Sequence, residues 1–317
     1  MAEVVEPRGS EEDLEQITDM MGSYTTNYKD SGQNRCDNIS NATSKINGTL
    51  LYPGEEFSVY EAIGPLDAAN GYELAGAYEN GQTVESYGGG VCQVSTTLYN
   101  AVILAELEIT QRSNHSMIVS YVKPSMDAAI AGDYKDLRFV NNQDIPIYIE
   151  GYTEGKNVTF KIYGHDTRPS NRVVTYESEV VSEQDPGTQY VATGDPAGYM
   201  KTAQGKHIGY VARLWKVVTV DGVEESREIF NKSTYKASPK IVNVGTASAD
   251  PNVSAVIGAA LATGDEATIN AAVAPYAASA AAILNPAPVE QRRRKNRRLL
   301  ERWMRARSQA ENKSIRD

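Results

Sequence analysis

The stretch GGGVCQVST at 88–96 holds the residues best suited to chemistry. Glycine adopts positive φ and lets another chain approach its backbone closely. A helical period starts directly behind Gly88, Gly89 and Gly90, so Cys92 is expected in the first turn of a helix. There the unpaired N–H groups and the positive end of the helix dipole favour thiolate over thiol. The N–H groups of Gly90, Val91 and Gln93 are candidates to hold an oxyanion. Nucleophile, glycine turn and helix start together fit acyl transfer. The competing reading is a small structural cysteine, since free cysteine is among the most buried residue types.

A cysteine nucleophile wants a base, and the base wants an orienting group. His115, in SNHSMIVSY, is the best candidate, because a strand after the helix would return it to the helix start. A hydrogen-bonded structural histidine is the alternative for that position. Ser116, Asp127, Asp136 and Asn141 are all candidates to orient the base, and the choice among them stays open. His165 and His207 read as loop or surface residues. No CxxC, HExxH or histidine pair at ligand spacing occurs, so no metal site and no cofactor are expected. Cys36 lies between Arg35 and Asp37 without a glycine loop and reads as structural; a Cys36–Cys92 bridge is its other possible use.

The elements that must position these groups follow from periodicity. A short helix is expected at 11–21 and a longer one at 34–50, where Ile39, Ala42, Ile46 and Leu50 recur at helical spacing. PGEEF at 53–57, Gly64-Pro65 and Asn70-Gly71 mark turns, and Asn80-Gly81 joins extended runs at 76–79 and 82–87. Val91, Val94, Leu98, Val102 and Leu104 predict a helix over 91–107. Strands are expected at 115–122, 136–140, 145–151 and 157–163. From 170 to 246 alternating strands dominate, with Asp221-Gly222 as a hairpin turn. The class is α+β: a mixed helix/strand domain followed by a small all-β domain.

Composition narrows the partners. The chain has 317 residues, room for two ordinary domains and tails, with 41% hydrophobic and 23% charged residues. Its net charge of −10 is uneven: from Glu290 onward 11 Lys/Arg face 4 Asp/Glu, so the tail carries +7 and the body −17. An acidic body argues against nucleic acid as a partner. The 19 tyrosines suit a half-wet, carbohydrate-contacting surface. Residues 247–289 are Ala-rich with scattered Pro, Gly and Asn and read as a linker of weak helical content; Pro275 interrupts the most apolar run, so no membrane span is expected. Around Leu299, Leu300, Trp303 and Met304 the tail 290–317 has the pattern of a basic amphipathic helix.

GGGVCQVSTTLYNAVILAELEI closely resembles the VanW-like family, and the resemblance runs through 23–168. It takes in YTTNY at 24–28, NISNATSKINGTLLYPGEEFS at 38–58, GYELAGAYENGQTVESYGGGVCQVSTTLYNA at 71–101, NHSMIVSYV at 114–122, DLRFVNN at 136–142 and PIYIEGY at 146–152. Residues 169–246, ending in SPKIVNVGT, resemble a G-five domain. Residues 1–22 resemble only the end of a preceding domain or linker, as in a truncated form of a longer family member that carries an N-terminal membrane anchor. The resemblance implies an extracytoplasmic protein of the cell wall or of the outer face of the cytoplasmic membrane. Its partners would be peptidoglycan stem peptides and glycan. The implied activity is an L,D-transpeptidase forming 3→3 cross-links, with Cys92 as nucleophile and His115 as base. The other function compatible with this layout is a non-catalytic wall-binding or scaffolding protein linked to the envelope or to glycopeptide resistance.

Overall fold

A computed structural model describes residues 9–79, 82–132 and 134–284. The chain divides into two compact units. The first runs to Pro186 and also takes Lys206–Ser238; the second takes Gly187–Gly205 and the chain from Pro239.

The first unit is built around two helices and an antiparallel sheet. After α1 (Glu11–Glu15), β1 (Asp19–Asn27) leads into α2 (Gln33–Ile46), which buries Ile39, Ala42, Thr43 and Ile46 on one face. The helix stops short of 50 because Asn47 leaves helical geometry and Gly48 takes φ +86°, turning the chain into β2 (Thr49–Leu51). Next come β3 (Glu56–Ser58), α3 (Val59–Ile63), and the hairpin β4 (Leu74–Glu79) and β5 (Gln82–Tyr87); its Asn80-Gly81 turn lies outside the described residues. Helix α4 (Val91–Leu104) is buried nearly throughout, its polar residues included. Thr97 Oγ1 donates to Gln93 O, and Asn100 Nδ2 to Thr96 O and Met126 O, while Ser95 Oγ and Asn100 Oδ1 are buried without a partner among the described residues.

Beyond α4 lie β6 (Glu108–Gln111), β7 (Arg138–Val140), β8 (Ile147–Glu154) and β9 (Asn157–Gly164). The four-stranded sheet has order β1-β9-β8-β2, and a second sheet has order β3-β7-β6. The sheet belongs to the fold from Asp19 onward, which corrects both the helix expected to 21 and a domain start at 23. Gly22 explains how β1 lies so close to α4. A Cβ there would fall 2.3 Å from the Ala101 carbonyl oxygen and 2.7 Å from the Ala105 nitrogen.

The strand expected at 115–122 does not form. Met117 and Val119 are buried, which gives the run its strand-like alternation. Its backbone is committed otherwise: His115 N–H donates to Asp127 and Ser116 O accepts from Lys236 N–H.

The three long strands of this unit's last sheet pair in the order β10-β13-β14: β10 (Arg172–Gln184), β13 (Gly209–Val220) and β14 (Val223–Tyr235). Asp221 (φ +52°) and Gly222 (φ +79°) make the expected hairpin turn. Leu214 of β13 enters the same core as α4, flanked by Tyr176 and Phe230.

In the second unit β11 (Thr188–Pro196) pairs in parallel with β15 (Lys240–Ala247), which pairs antiparallel with β12 (Met200–Gln204). The segment read as a linker is instead helical: α5 (Pro251–Thr263), α6 (Glu266–Val273) and α7 (Ala277–Leu284). Ile257, Ala260, Ile269 and Val273 cluster with Val242 and Val244, so a few large residues among small ones suffice for a core. Asp250 and Asp265 cap the helices, and Gly264 ends α5 in the left-handed region. Among the described residues, Glu266–Leu284 is the one helical run long and apolar enough to cross a membrane. The basic tail lies outside the described residues.

Gly22→Ala tests the seat of β1 on α4. Its Cβ meets backbone that cannot yield, so a loss of about 1–3 kcal/mol is expected in urea unfolding. Unchanged stability would show that the strand has room to move.

Candidate active site

The glycine run divides its work. Gly88 and Gly90 take φ +77° and +118°, and Gly90 is the N-cap of α4. Gly89 lies against β4, where a Cβ would fall 2.5 Å from the Ala75 carbonyl oxygen. Asn38 of α2 pins this turn by donating to Gly89 O and Glu73 O and accepting from Glu73 N–H. Cys92 follows in the first turn of α4, partly exposed and free, as is Cys36.

Cys92 Sγ lies 3.4 Å from the Ile130 nitrogen, whose N–H points at it, and its side chain is close enough to that of His115 for the imidazole to act on the thiol. His115 Nδ1 is 2.7 Å from Asp127 Oδ2, so Nε2 is the ring nitrogen left for Cys92. The same Oδ2 accepts the His115 main-chain N–H at 2.7 Å. Asp127 Oδ1 accepts from Arg112 Nη2 at 3.0 Å and from the Tyr235 hydroxyl. Arg112 is itself fixed by Asp127 O at 2.7 Å and by Ser233 Oγ at 2.9 Å. Tyr121 stands edge-on to the His115 ring, with centroids 6.4 Å apart.

The electrostatics are those of a charged chain in a dry setting. Burial favours a neutral Asp127, but His115 and Arg112 outweigh it and hold its carboxyl down at about 2. Burial likewise disfavours imidazolium, yet the bonds to Asp127 and Cys92 raise His115 to about 9. For Cys92 burial pushes upward, while the bond and charge of His115 and the Ile130 N–H bring the thiol below its ordinary value. The arrangement therefore favours a thiolate–imidazolium pair.

Of the four candidate orienting groups the structure brings only Asp127 to His115. Asp136 bonds Ser58 Oγ at 2.6 Å and the N–H groups of Tyr60 and Leu137, holding the junction of β3 and α3. Asn141 ties Leu51 O to Ile145 O, and Ser116 meets β14 through its carbonyl. Two of the expected oxyanion donors are already spent: Val91 N–H on Gly88 O and Gln93 N–H on Gly90 O. The Gln93 side chain anchors β1 through Thr26 Oγ1 and Asn27 O. His165 is exposed beside Asp19, and His207 bridges to Ser238, so neither joins the site. Arg112, Ile130 and Tyr235 were not anticipated. Arg112 precedes His115 by three residues in a run without regular period, and Tyr235 comes from β14, far along the chain.

Comparisons with known proteins find two family matches on the chain. Residues 34–163 match the family model described as VanW like protein, and 175–247 match that of the G5 domain. The chain is 36% identical over 149 residues to "Uncharacterized protein YoaR" of Bacillus subtilis, covering 47% of this chain and 49% of that one. It is 30% identical over 118 residues to "Vancomycin B-type resistance protein VanW" of Enterococcus faecalis, covering 35% and 42%. The chain thus spans about half or less of the curated relatives it matches. Among solved structures, the G5 domain of an IgA1 protease shares 26% identity over 24% of this chain and 94% of its own, with a TM-score of 0.18. HP0197-G5 shares 19% over 23% and 97%, with a TM-score of 0.13. The chain is thus similar to VanW-like proteins over 34–163 and to G5 domains over 175–247.

Proposed function

We propose that this protein is a cell-wall acyltransferase, an L,D-transpeptidase that forms 3→3 cross-links in peptidoglycan through a thioester on Cys92. The observation that carries the reading is Cys92 in the first turn of α4 beside His115, whose Nδ1 is bonded to the buried Asp127. The VanW resemblance supports the substrate class, and the G5 match supports a glycan-contacting module beside it. A peptidoglycan substrate implies an extracytoplasmic protein.

Cys92 thiolate attacks the carbonyl carbon of the third stem residue. As the tetrahedral intermediate collapses, the C–N bond to the terminal D-Ala breaks and His115 Nε2 gives its proton to the leaving amine. The side-chain amine of a second stem then attacks the thioester carbonyl. It yields a proton to His115, the C–S bond breaks, and thiolate is restored. With Val91 and Gln93 N–H committed, the oxyanion role falls to the N–H groups of Gly90 and Cys92. Water in place of the acceptor amine gives a carboxypeptidase. Asp127 keeps Nδ1 protonated and turns Nε2 toward the sulfur.

Disaccharide-tetrapeptide incubated with the protein should release D-Ala and yield cross-linked dimers. Cys92→Ala should lower both by at least about a thousandfold. Full activity in that variant would sink the proposal, and binding of sacculi with no turnover by the wild type would favour a wall-binding role.

The pH dependence has a definite sign. Activity should rise as Cys92 ionises below the ordinary thiol range, then fall through about pH 9 as His115 loses its proton. Asp127→Asn removes the charge that holds the imidazolium, so its alkaline limb should move downward and Cys92 alkylation should require higher pH. A profile identical to wild type would remove Asp127 from the mechanism.

A further inference from the structure

We infer that the G5-matched segment completes the site from outside the VanW-matched residues, with Tyr235 of β14 as the positioning residue for Asp127. The inference rests on the reading of Cys92, His115 and Asp127 as the reacting chain. Alternate residues of a strand share a face, and Asn231, Ser233 and Tyr235 are three such positions. Each holds a part of the site. Asn231 Nδ2 donates to Tyr99 OH at 2.7 Å and to Ser125 O at 3.2 Å. Ser233 Oγ accepts from Arg112 Nη1. The Tyr235 hydroxyl donates to Asp127 Oδ1 and accepts the Ser125 N–H at 2.7 Å.

A second feature shows what this face maintains. Ser125, two residues before Asp127, is a buried non-glycine at φ +66°, a conformation that costs free energy unless its surroundings impose it. Both its N–H and its carbonyl are held by side chains of β14. The strand therefore fixes the approach of the loop to Asp127 as well as one oxygen of the carboxylate. With Oδ1 occupied by Tyr235 and Arg112, Oδ2 is the oxygen presented to His115. The titratable and charged groups around this carboxylate are His115, Arg112, Tyr235 and Cys92, with Tyr99 and Tyr121 further out.

The test reads the pH dependence of Cys92 alkylation by iodoacetamide in the full chain, beside thermal melting. Tyr235→Phe keeps the ring and removes the bond to Asp127. Its alkylation midpoint should move to higher pH, with the rate at pH 6 lowered about tenfold. Ser178→Ala is the control: Ser178 Oγ bonds Pro124 O at 2.5 Å from the same sheet without touching Asp127, so its profile should match wild type. Ser233→Ala, which frees Arg112, should shift the profile in the Tyr235→Phe direction and decides the matter if Tyr235→Phe does not fold. A wild-type profile in Tyr235→Phe, or in Ser233→Ala when it alone folds, overturns the inference. An equal shift in Ser178→Ala does so as well, because the effect would then be general loosening. If wild-type Cys92 titrates as an ordinary thiol, the reading of the site itself fails instead.

Discussion

The buried charge of Asp127 is the constraint on which the rest of the site depends. The residue is 1% exposed. An isolated carboxylate at such depth would cost several kcal/mol, on the order of the penalty for any ion withdrawn from water, and would take up a proton instead. It stays ionised because His115 supplies two donors, and Arg112 and Tyr235 supply one each to the other oxygen. These donors come from the segment behind β6 and from β14, so no local piece of chain can build the site. The geometry around Asp127 and the packing of the first unit are one problem with one solution.

The carboxylate also bears on how the thiol is held below its ordinary value. Asp127 acting directly on Cys92 opposes the thiolate, as any like charge must. It helps only through His115, whose ring lies between two anions and stays protonated to about pH 9. The Ile130 N–H adds a donor to the sulfur. Helix α4 contributes the position: its N-cap glycine at φ +118° ends the turn just ahead of Cys92, and α2 holds that turn through Asn38. The sequence motif thus encodes the proposed nucleophile and its support, whereas the charged groups around His115 are assembled at long range.

That distinction decides what can be read from residues alone. Helix α4, the glycine turn and the Asp221-Gly222 hairpin rest on periods and φ preferences within a few residues, and they were legible. His115 was reachable from chemistry, because a thiol nucleophile wants a base. Asp127 was one of four equal candidates, since only the irregular path of 112–130 brings it back to His115. The run 115–122 misleads for the same reason. Its alternating burial is real, but its backbone bonds go to Asp127 and β14 rather than to a ladder. Residues 247–289 fail differently: Ala-rich helices bury few large side chains, so their pattern is faint even where Ile257 and Ile269 form a core.

Two family matches on one chain invite the view that each is a separate device, one for chemistry and one for attachment. The bonds of β14 argue against that separation. The G5 match begins at residue 175, well before the strand that reaches Asp127, and the first unit retains 206–238 within its own fold. Tyr176 and Phe230 pack edge-on against each other at the α4 core, and Tyr176 donates to Ile103 O at 2.9 Å. Glu106, at the end of α4, is held well below the ordinary carboxylate range by Arg172 and Lys216, despite partial burial. The sheet thus contacts α4 at its C-terminal end and reaches Asp127 through β14. A helix that carries Cys92 at one end and is clamped at the other by a neighbouring sheet cannot shift without moving the sulfur against His115. The boundary between the two matches is therefore a boundary in sequence, while the hydrogen bonds around Asp127 cross it.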